Sequence, residues 1–168
     1  MLNTVLKYSG LFILLLAIQV LLMNNIQFSG FINPYVYILF ILLLPFETPF
    51  WLVLFLSFLT GFVVDITSGT LGLHISATVF AGFIRPYVLN LVSPRDGYDQ
   101  EDIPGFKSYG FRWFITYILI IVFFHHLALF YIEVFSFEYF FRTLLRVLLS
   151  TAFTILFIII IQYIIIRR

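Results

Sequence analysis

The sequence predicts an all-α integral membrane protein, a compact bundle of six transmembrane helices that forms one domain over residues 1–168. Two observations predict this class: 62% of the residues are hydrophobic and 10% are charged, and the mean hydropathy is +1.11. Soluble domains contain about 45–50% apolar and about 25% charged residues, so a soluble fold would leave much of this apolar surface uncovered. The hydrocarbon core of a lipid bilayer covers such an apolar surface.

The predicted spans follow apolar runs that are separated by polar turns. They cover residues 5–23, 31–46, 50–66, 73–92, 111–134 and 138–166, and the single long polar loop is 93–110. No small-residue cleavage site follows the first run, which therefore predicts an uncleaved span. The second run is bounded by Pro34 and Pro45 and reaches only about 24 Å as a helix, close to the minimum for a bilayer. If it did not cross, the chain would have five spans.

Basic residues predict the orientation of the bundle. With six spans, one side of the membrane holds Lys7, Arg95, Lys107, Arg112, Arg167 and Arg168. The loops at 24–33 and 67–72 contain no Lys or Arg, and Arg142 at the start of the last span is the one exception to this division. Since short cytoplasmic loops are enriched in Lys and Arg, both termini and the 93–110 loop are predicted to be cytoplasmic.

Composition and motifs also limit the function. The nine basic and eight acidic residues include no basic block, so nucleic acid is not an expected partner. The absence of cysteine excludes disulfides and thiolate chemistry. No HExxH, GxSxG, P-loop or GxGxxG motif occurs. We therefore expect no enzyme activity, no metal site and no cofactor.

Small residues predict that spans three and four form a tight hairpin, because small side chains allow helix backbones to approach closely in a membrane. The pairs spaced four residues apart are Ser57 with Gly61, Ala77 with Ala81, and Thr78 with Gly82. His74, Thr78, Ala81 and Arg85 recur at helical spacing, which predicts a buried polar face on span four.

Asp65 begins the turn between these two spans. It lies about 22 Å along the helix from Phe50, at the membrane boundary. Its carboxylate is expected to cap span four or to accept a hydrogen bond from Ser68, because helix ends leave backbone N–H groups unpaired. Two functional alternatives stay open: a polar contact for a partner protein, and an ion or proton site.

A second set of polar residues lies in spans five and six. His126 and Glu133 share a helix face, and the order of Glu138 and Arg142 predicts an ion pair. The candidate buried polar network comprises Arg85, His126, Glu133, Glu138, Arg142 and Arg146. The adjacent His125 and His126 side chains point about 100° apart on a helix, so they are poor joint metal ligands.

The segment 61–87, GFVVDITSGTLGLHISATVFAGFIRPY, resembles the signature stretch of the bacterial rod shape-determining protein MreD family. The matching positions are Gly61, Asp65, Ser68, Gly69, Leu71, Gly72, Leu73 and His74. Looser similarity includes Gln19 in span one and the Asn33-Pro34 start of span two. Two features depart from the pattern: Thr70 stands where many members have proline, and the long loop carries an acidic insert at 96–102.

This resemblance implies a non-enzymatic scaffold in the cytoplasmic (inner) membrane, a subunit of the cell-wall elongation complex. Its expected partners are MreC first, and then MreB, RodA and the elongation transpeptidase. Gly61, Asp65, Ser68, Gly69, Gly72 and His74 would form a partner contact or a structural turn. The predicted bundle is also similar, at fold level, to the substrate-binding subunits of energy-coupling-factor transporters, so a small-molecule (vitamin-type) transport subunit is the alternative.

Overall fold

The computed structural model describes residues 2–26, 31–99, 103–136 and 138–166, and these residues fold into an all-helical bundle. The α-helices are α1 (Leu2–Leu21), α2 (Leu39–Leu42), α3 (Phe50–Ser68), α4 (Leu73–Leu91), α5 (Phe106–Val134) and α6 (Phe140–Ile166). Short 3₁₀ turns cover Met23–Asn25 and Val36–Ile38. Four residues named above lie outside the described residues: Glu101 and Asp102 of the acidic insert, and Arg167 and Arg168 at the predicted cytoplasmic C-terminus.

Four of these helices are long and apolar enough to cross a membrane: α1, α3, α5 and α6. This agrees with the predicted all-α membrane class. The helix α4 has 19 residues, but His74, Arg85 and Pro86 make it more polar, and it packs between α3 and α5. We call the end of the bundle that holds the turn 69–72 the distal end. The opposite end holds residues 92–99 and 103–105, which we call the proximal loop, and is the proximal end.

The second predicted span, residues 31–46, is much less helical than predicted. Its helical part is limited to the 3₁₀ turn Val36–Ile38 and the single α-helical turn α2, because Pro34 and Pro45 interrupt the backbone on either side. Residues 36–44 are nevertheless buried almost completely. This segment is therefore the central core of the bundle, surrounded by the long helices instead of facing lipid beside them.

The predicted α3–α4 hairpin is confirmed, and two glycines set its spacing. A Cβ atom on Gly61 would lie 2.6 Å from the Cα of Ile75 and 2.7 Å from the carbonyl oxygen of His74. A Cβ atom on Gly82 would overlap the hydroxyl of Ser57. The backbones of α3 and α4 therefore touch at Gly61, and at Gly82 the backbone of α4 lies against the side chain of Ser57.

An aromatic cluster holds the proximal loop against the bundle. Tyr98 stacks on Phe46 with ring centroids 4.2 Å apart and donates a hydrogen bond to the carbonyl of Leu89 at 2.7 Å. Burial raises the pKa of Tyr98 above that of an ordinary tyrosine. The indole of Trp113 donates to the carbonyl of Val92 at 2.9 Å. Helix α5 begins at Phe106 and breaks at Gly110 (φ 80°), next to the predicted start of span five.

Candidate functional site

A polar cavity of about 370 Å³ opens at the distal end of the bundle. All five long helices, α1, α3, α4, α5 and α6, contribute to its wall, together with residues 33–35 and the turn 69–72. The polar lining residues are Gln19, Asn24, Asn33, Tyr35, Thr67, Ser68, Thr70, His74, Glu133 and Arg146. Polar side chains are costly in a membrane and concentrate where they have a function, so this convergence identifies the candidate site.

Asp65 holds the segment that forms one wall of the cavity. Its Oδ1 accepts hydrogen bonds from the backbone N–H of His74 at 3.1 Å and from the Thr70 hydroxyl, and its Oδ2 accepts from the N–H of Ile75 at 3.0 Å. The predicted cap of α4 is thereby confirmed, although the hydroxyl partner is Thr70 and not Ser68. Asp65 is 4% exposed, so its carboxylate is committed inside the chain and does not present a contact surface.

The turn above Asp65 needs two left-handed residues. Gly69 (φ 67°) ends α3 and Gly72 (φ 83°) precedes α4, and glycine adopts these angles without steric cost. Between them, Leu71 is fully exposed. Ser68 is tied to the end of α1 because its hydroxyl accepts a hydrogen bond from the Asn24 amide at 3.3 Å. The turn is thus a fixed loop with an apolar tip.

Gln19 holds the entry of the central segment. Its Oε1 accepts from the backbone N–H groups of Val36 at 2.8 Å and Tyr37 at 3.4 Å, while its Nε2 donates to Asn24 and to the carbonyl of Pro34. From the other side, the hydroxyls of Ser150 and Thr154 accept the N–H groups of Asn33 and Tyr35. Side chains therefore replace the backbone bonds that a longer helix would have made.

Below the cavity, Tyr37 bridges two histidines. Its hydroxyl lies 2.9 Å from Nδ1 of His74 and 2.9 Å from Nε2 of His125, and the Thr78 hydroxyl is 3.5 Å away. A phenol has one proton, so Tyr37 donates to one imidazole and accepts from the other. All three side chains are buried, and Nδ1 of His125 has no hydrogen-bond partner among the described residues.

His126 belongs to a separate chain of hydrogen bonds. Its Nδ1 donates to the carbonyl of Val122 at 2.8 Å, so its Nε2 accepts from the Thr154 hydroxyl at 3.2 Å. His125 and His126 thus engage different partners, as their adjacent helical positions predicted. Within the described ranges, no group of three or more His, Asp or Glu residues is arranged to hold a metal ion.

The mouth of the cavity carries an ion pair. Arg146 donates to Glu133 at 3.0 Å, and its guanidinium lies 4.1 Å from the ring centroid of Phe130. Nε of Arg146 is buried and has no hydrogen-bond partner in the described part of the chain. The predicted pair of Glu138 and Arg142 is not formed, because Glu138 precedes the first residue of α6 and lacks the helical geometry that such a pair requires.

The predicted buried polar network is divided between the two ends of the bundle. Arg85 is buried near the proximal end, where it donates to the Tyr117 hydroxyl at 3.1 Å and to the carbonyls of Leu44 and Pro45. Glu133 and Arg146 line the distal cavity, with His126 buried beneath. Glu138 and Arg142 are exposed, and Arg142 lies 6.0 Å from the ring centroid of Phe31.

Sequence reasoning assigned no function to several residues of this site. Tyr35 and Tyr37 belong to an apolar run with many aromatics, and only their contacts with His74 and His125 distinguish them. Thr70 was noted only as a departure from a family pattern, yet its hydroxyl bonds to Asp65, which proline could not do. Gln19 offered the clearest signal, since an amide within an apolar span requires a partner.

The fold and the site define an all-helical chain with four membrane-length apolar helices and a polar cavity at one end. Comparison with known proteins adds no relative: no family model, no curated protein and no solved structure matches the chain.

Proposed function

We propose that this chain is a non-enzymatic scaffold of the MreD type in the bacterial cytoplasmic membrane, which binds MreC and positions the peptidoglycan synthases of the elongation complex. One observation carries the proposal. The turn between Asp65 and His74, on which the resemblance depends, is held by the Asp65 carboxylate, which accepts the N–H groups of His74 and Ile75, and its apolar tip, Leu71, is fully exposed. Such a loop suits binding to another protein better than chemistry.

The proposal includes six crossings, with both termini and the proximal loop in the cytoplasm. Two arrangements support a crossing by the central segment. It enters beside Gln19 at the distal end, and it leaves beside Arg85, which bonds to the carbonyls of Leu44 and Pro45. Irregular backbone of this kind is tolerated at membrane depth where protein surrounds it, and residues 36–44 are buried. The distal end then faces the periplasm.

The expected contact with MreC or the synthases lies at the exposed part of the turn. Asp65 and His74 are 4% and 3% exposed, so they act by holding the turn in place. Leu71 is the tip, and Gly69 and Gly72 fix its position. A partner that buries this leucine gains about 1.5–3 kcal/mol from the apolar transfer.

The experiment is Leu71→Asp with capture of MreC and of the elongation transpeptidase from membranes. The variant should keep its expression level, because the Leu71 side chain is fully exposed, while partner recovery falls. Leu91→Asp is the matched control at the opposite end of α4, where the leucine is also exposed. Equal recovery with both variants would contradict the contact at the turn.

Cell shape tests the proposal as a whole. Depletion of the protein from a rod-shaped host should give round cells, since wall synthesis would lose its placement along the cylinder. Re-expression of the unaltered chain should restore rods, and Leu71→Asp should restore them poorly. Cells that stay rod-shaped after complete loss of the protein would remove the shape function.

The distal cavity favours a second candidate, a substrate-binding subunit of a small-molecule transporter. Its volume of about 370 Å³ is within the usual range for ligand sites, about 300–1,000 Å³, but its wall is more polar than most such sites. Mass spectrometry of the purified, denatured protein tests it. A stoichiometric small molecule that is lost in Arg146→Gln would favour transport over the scaffold.

A further inference from the structure

A second cavity, at the proximal end, has a composition unlike the distal one. It measures about 530 Å³ and lies where α1 and α6 meet the start of α5. Lys7 and Lys107 line it, and no acidic residue is among its described lining residues. Leu11 and Leu43 form an apolar part of the same wall. The cavity therefore combines cationic and apolar surface at one end of a membrane bundle.

Two residues that line this cavity each carry a buried polar atom without a hydrogen-bond partner among the described residues. These atoms are the hydroxyl oxygen of Tyr8 and Oε1 of Gln162. Gln162 is 6% exposed and comes from α6, whereas Tyr8 comes from α1. The tyrosine hydroxyl can donate a hydrogen bond, and the glutamine oxygen can accept one. Unpaired buried polar groups are costly, so a molecule that supplies partners to both would bind more tightly.

We propose that this proximal cavity binds an anionic phospholipid whose headgroup carries hydroxyls, with phosphatidylglycerol as the test ligand. The phosphate would lie between Lys7 and Lys107, the headgroup hydroxyls and ester oxygens would pair with Gln162 and Tyr8, and an acyl chain would cover the leucines. Basic residues at the membrane surface attract anionic lipids, and an apolar floor distinguishes a lipid from a soluble anion. This lipid site lies at the end of the bundle opposite the proposed partner contact.

The experiment measures lipid binding to the full chain by native mass spectrometry, with phosphatidylglycerol and phosphatidylcholine of identical acyl chains. Lys7→Gln combined with Lys107→Gln should weaken phosphatidylglycerol binding about 25-fold, because each basic residue near an anionic surface contributes roughly fivefold. Lys7→Arg with Lys107→Arg keeps the charge and should retain binding. Phosphatidylcholine should bind weakly to every variant.

A charge-matched control separates this cavity from a general basic surface. Arg95→Gln with Arg112→Gln removes the same two charges from exposed residues that do not line the cavity, and it should leave binding within about twofold. Glu101→Gln with Asp102→Asn removes two acidic residues that precede Ile103 in the sequence, and it should maintain or strengthen binding. Equal losses in the lysine and arginine pairs would overturn the site.

Inorganic phosphate distinguishes a lipid site from a phosphate site. At millimolar concentration it should compete weakly with phosphatidylglycerol, because it cannot cover the apolar wall. Complete displacement by phosphate would show an anion site without lipid selectivity and would overturn the proposal. Filling the cavity by Gly105→Leu should also reduce lipid binding, since a Cβ atom there lies 3.1 Å from Nε2 of Gln162.

Discussion

At the scale of single residues, the most constrained positions are those that join two helices. Some do so through a side chain that bonds to both helices, and others because a glycine without a side chain lets the helices touch. Asp65 joins the end of α3 to the start of α4 through three hydrogen bonds. Gly61 lets the same two helices touch one turn earlier. The small-residue spacing predicts the close contact at Gly61 and the polar run predicts the turn after Asp65, and the structure adds the reason that each residue type is required.

Asp65→Ala should destabilise the protein by about 1–3 kcal/mol, because the backbone N–H groups of His74 and Ile75 would lose their acceptor. Thermal unfolding in detergent measures the change. The control is Thr67→Ala, whose hydroxyl bonds only to carbonyls of its own helix and should change stability by less than about 0.5 kcal/mol. Similar stability in the two variants would mean that the cap contributes little.

Gly61→Ala should cost about 1–3 kcal/mol, since the added Cβ meets backbone atoms of His74 and Ile75 that can move only with α4. Gly10→Ala is the matched control, because its added methyl meets no atom within 4 Å. Alanine favours helix, so that control should match or exceed the parent in unfolding temperature. A stable Gly61→Ala protein would show that the hairpin can separate without penalty.

At the scale of elements, the unusual part of the fold is the central segment. Its helical portion covers seven residues, Val36–Ile38 and Leu39–Leu42, in place of the longer helix that its apolar run suggests. The segment is stable in this form because side chains of α1 and α6 bond to its backbone at one end and Arg85 and Tyr117 bond to it at the other. Side chains of the surrounding long helices thus supply hydrogen-bond partners that the backbone of a longer central helix would have supplied within itself.

Gln19→Leu should loosen this segment selectively. The N–H groups of Val36 and Tyr37 would lose their acceptor, and local opening would become easier. Hydrogen exchange followed by mass spectrometry should show faster exchange in residues 34–44, with α3 and α4 unchanged. Asn25→Ala is the control, because its amide bonds only to the carbonyl of Leu21. Uniformly faster exchange would instead indicate global destabilisation.

At the scale of the whole molecule, polar residues gather in cavities at the two ends of the bundle, and apolar residues fill the region between the ends. The distal end holds a polar cavity with His74, Glu133 and Arg146, and the proximal end holds a cavity lined by two lysines and apolar residues. Between them lies a core of buried apolar side chains that includes Ile38, Ile41 and Ile118. The two ends of the bundle therefore differ in the chemistry that they present.

The membrane crossings can be tested directly because the chain has no cysteine. Single cysteines at Asn25 and Leu71 should react with an impermeant maleimide from outside the cell. Cysteines at Glu47 and Ser108 should react only after the membrane is permeabilised. A buried position, Ala81→Cys, serves as the unreactive control. Labelling of Asn25 and Glu47 from the same side would support five spans and a central segment that turns back.

By itself, the sequence determined the membrane class, the positions of the long apolar helices and the tight hairpin at Gly61. These features depend on local composition and on spacing along a helix, which are visible in the chain. It also gave a cap of the next helix as one expectation for Asp65, because helix ends leave backbone N–H groups unpaired, and the structure shows that cap.

Only the tertiary structure decided which polar residues meet. The bridge from His74 through Tyr37 to His125 joins three distant parts of the chain, and no periodicity within one helix encodes it. The same holds for the separation of Arg85 from Glu133 and Arg146, which sequence reasoning had grouped together. The short helical length of the central segment could not be predicted from the sequence either, because its backbone groups bond to side chains of other helices. Contacts between elements depend on how the helices pack, and that packing is a property of the whole bundle.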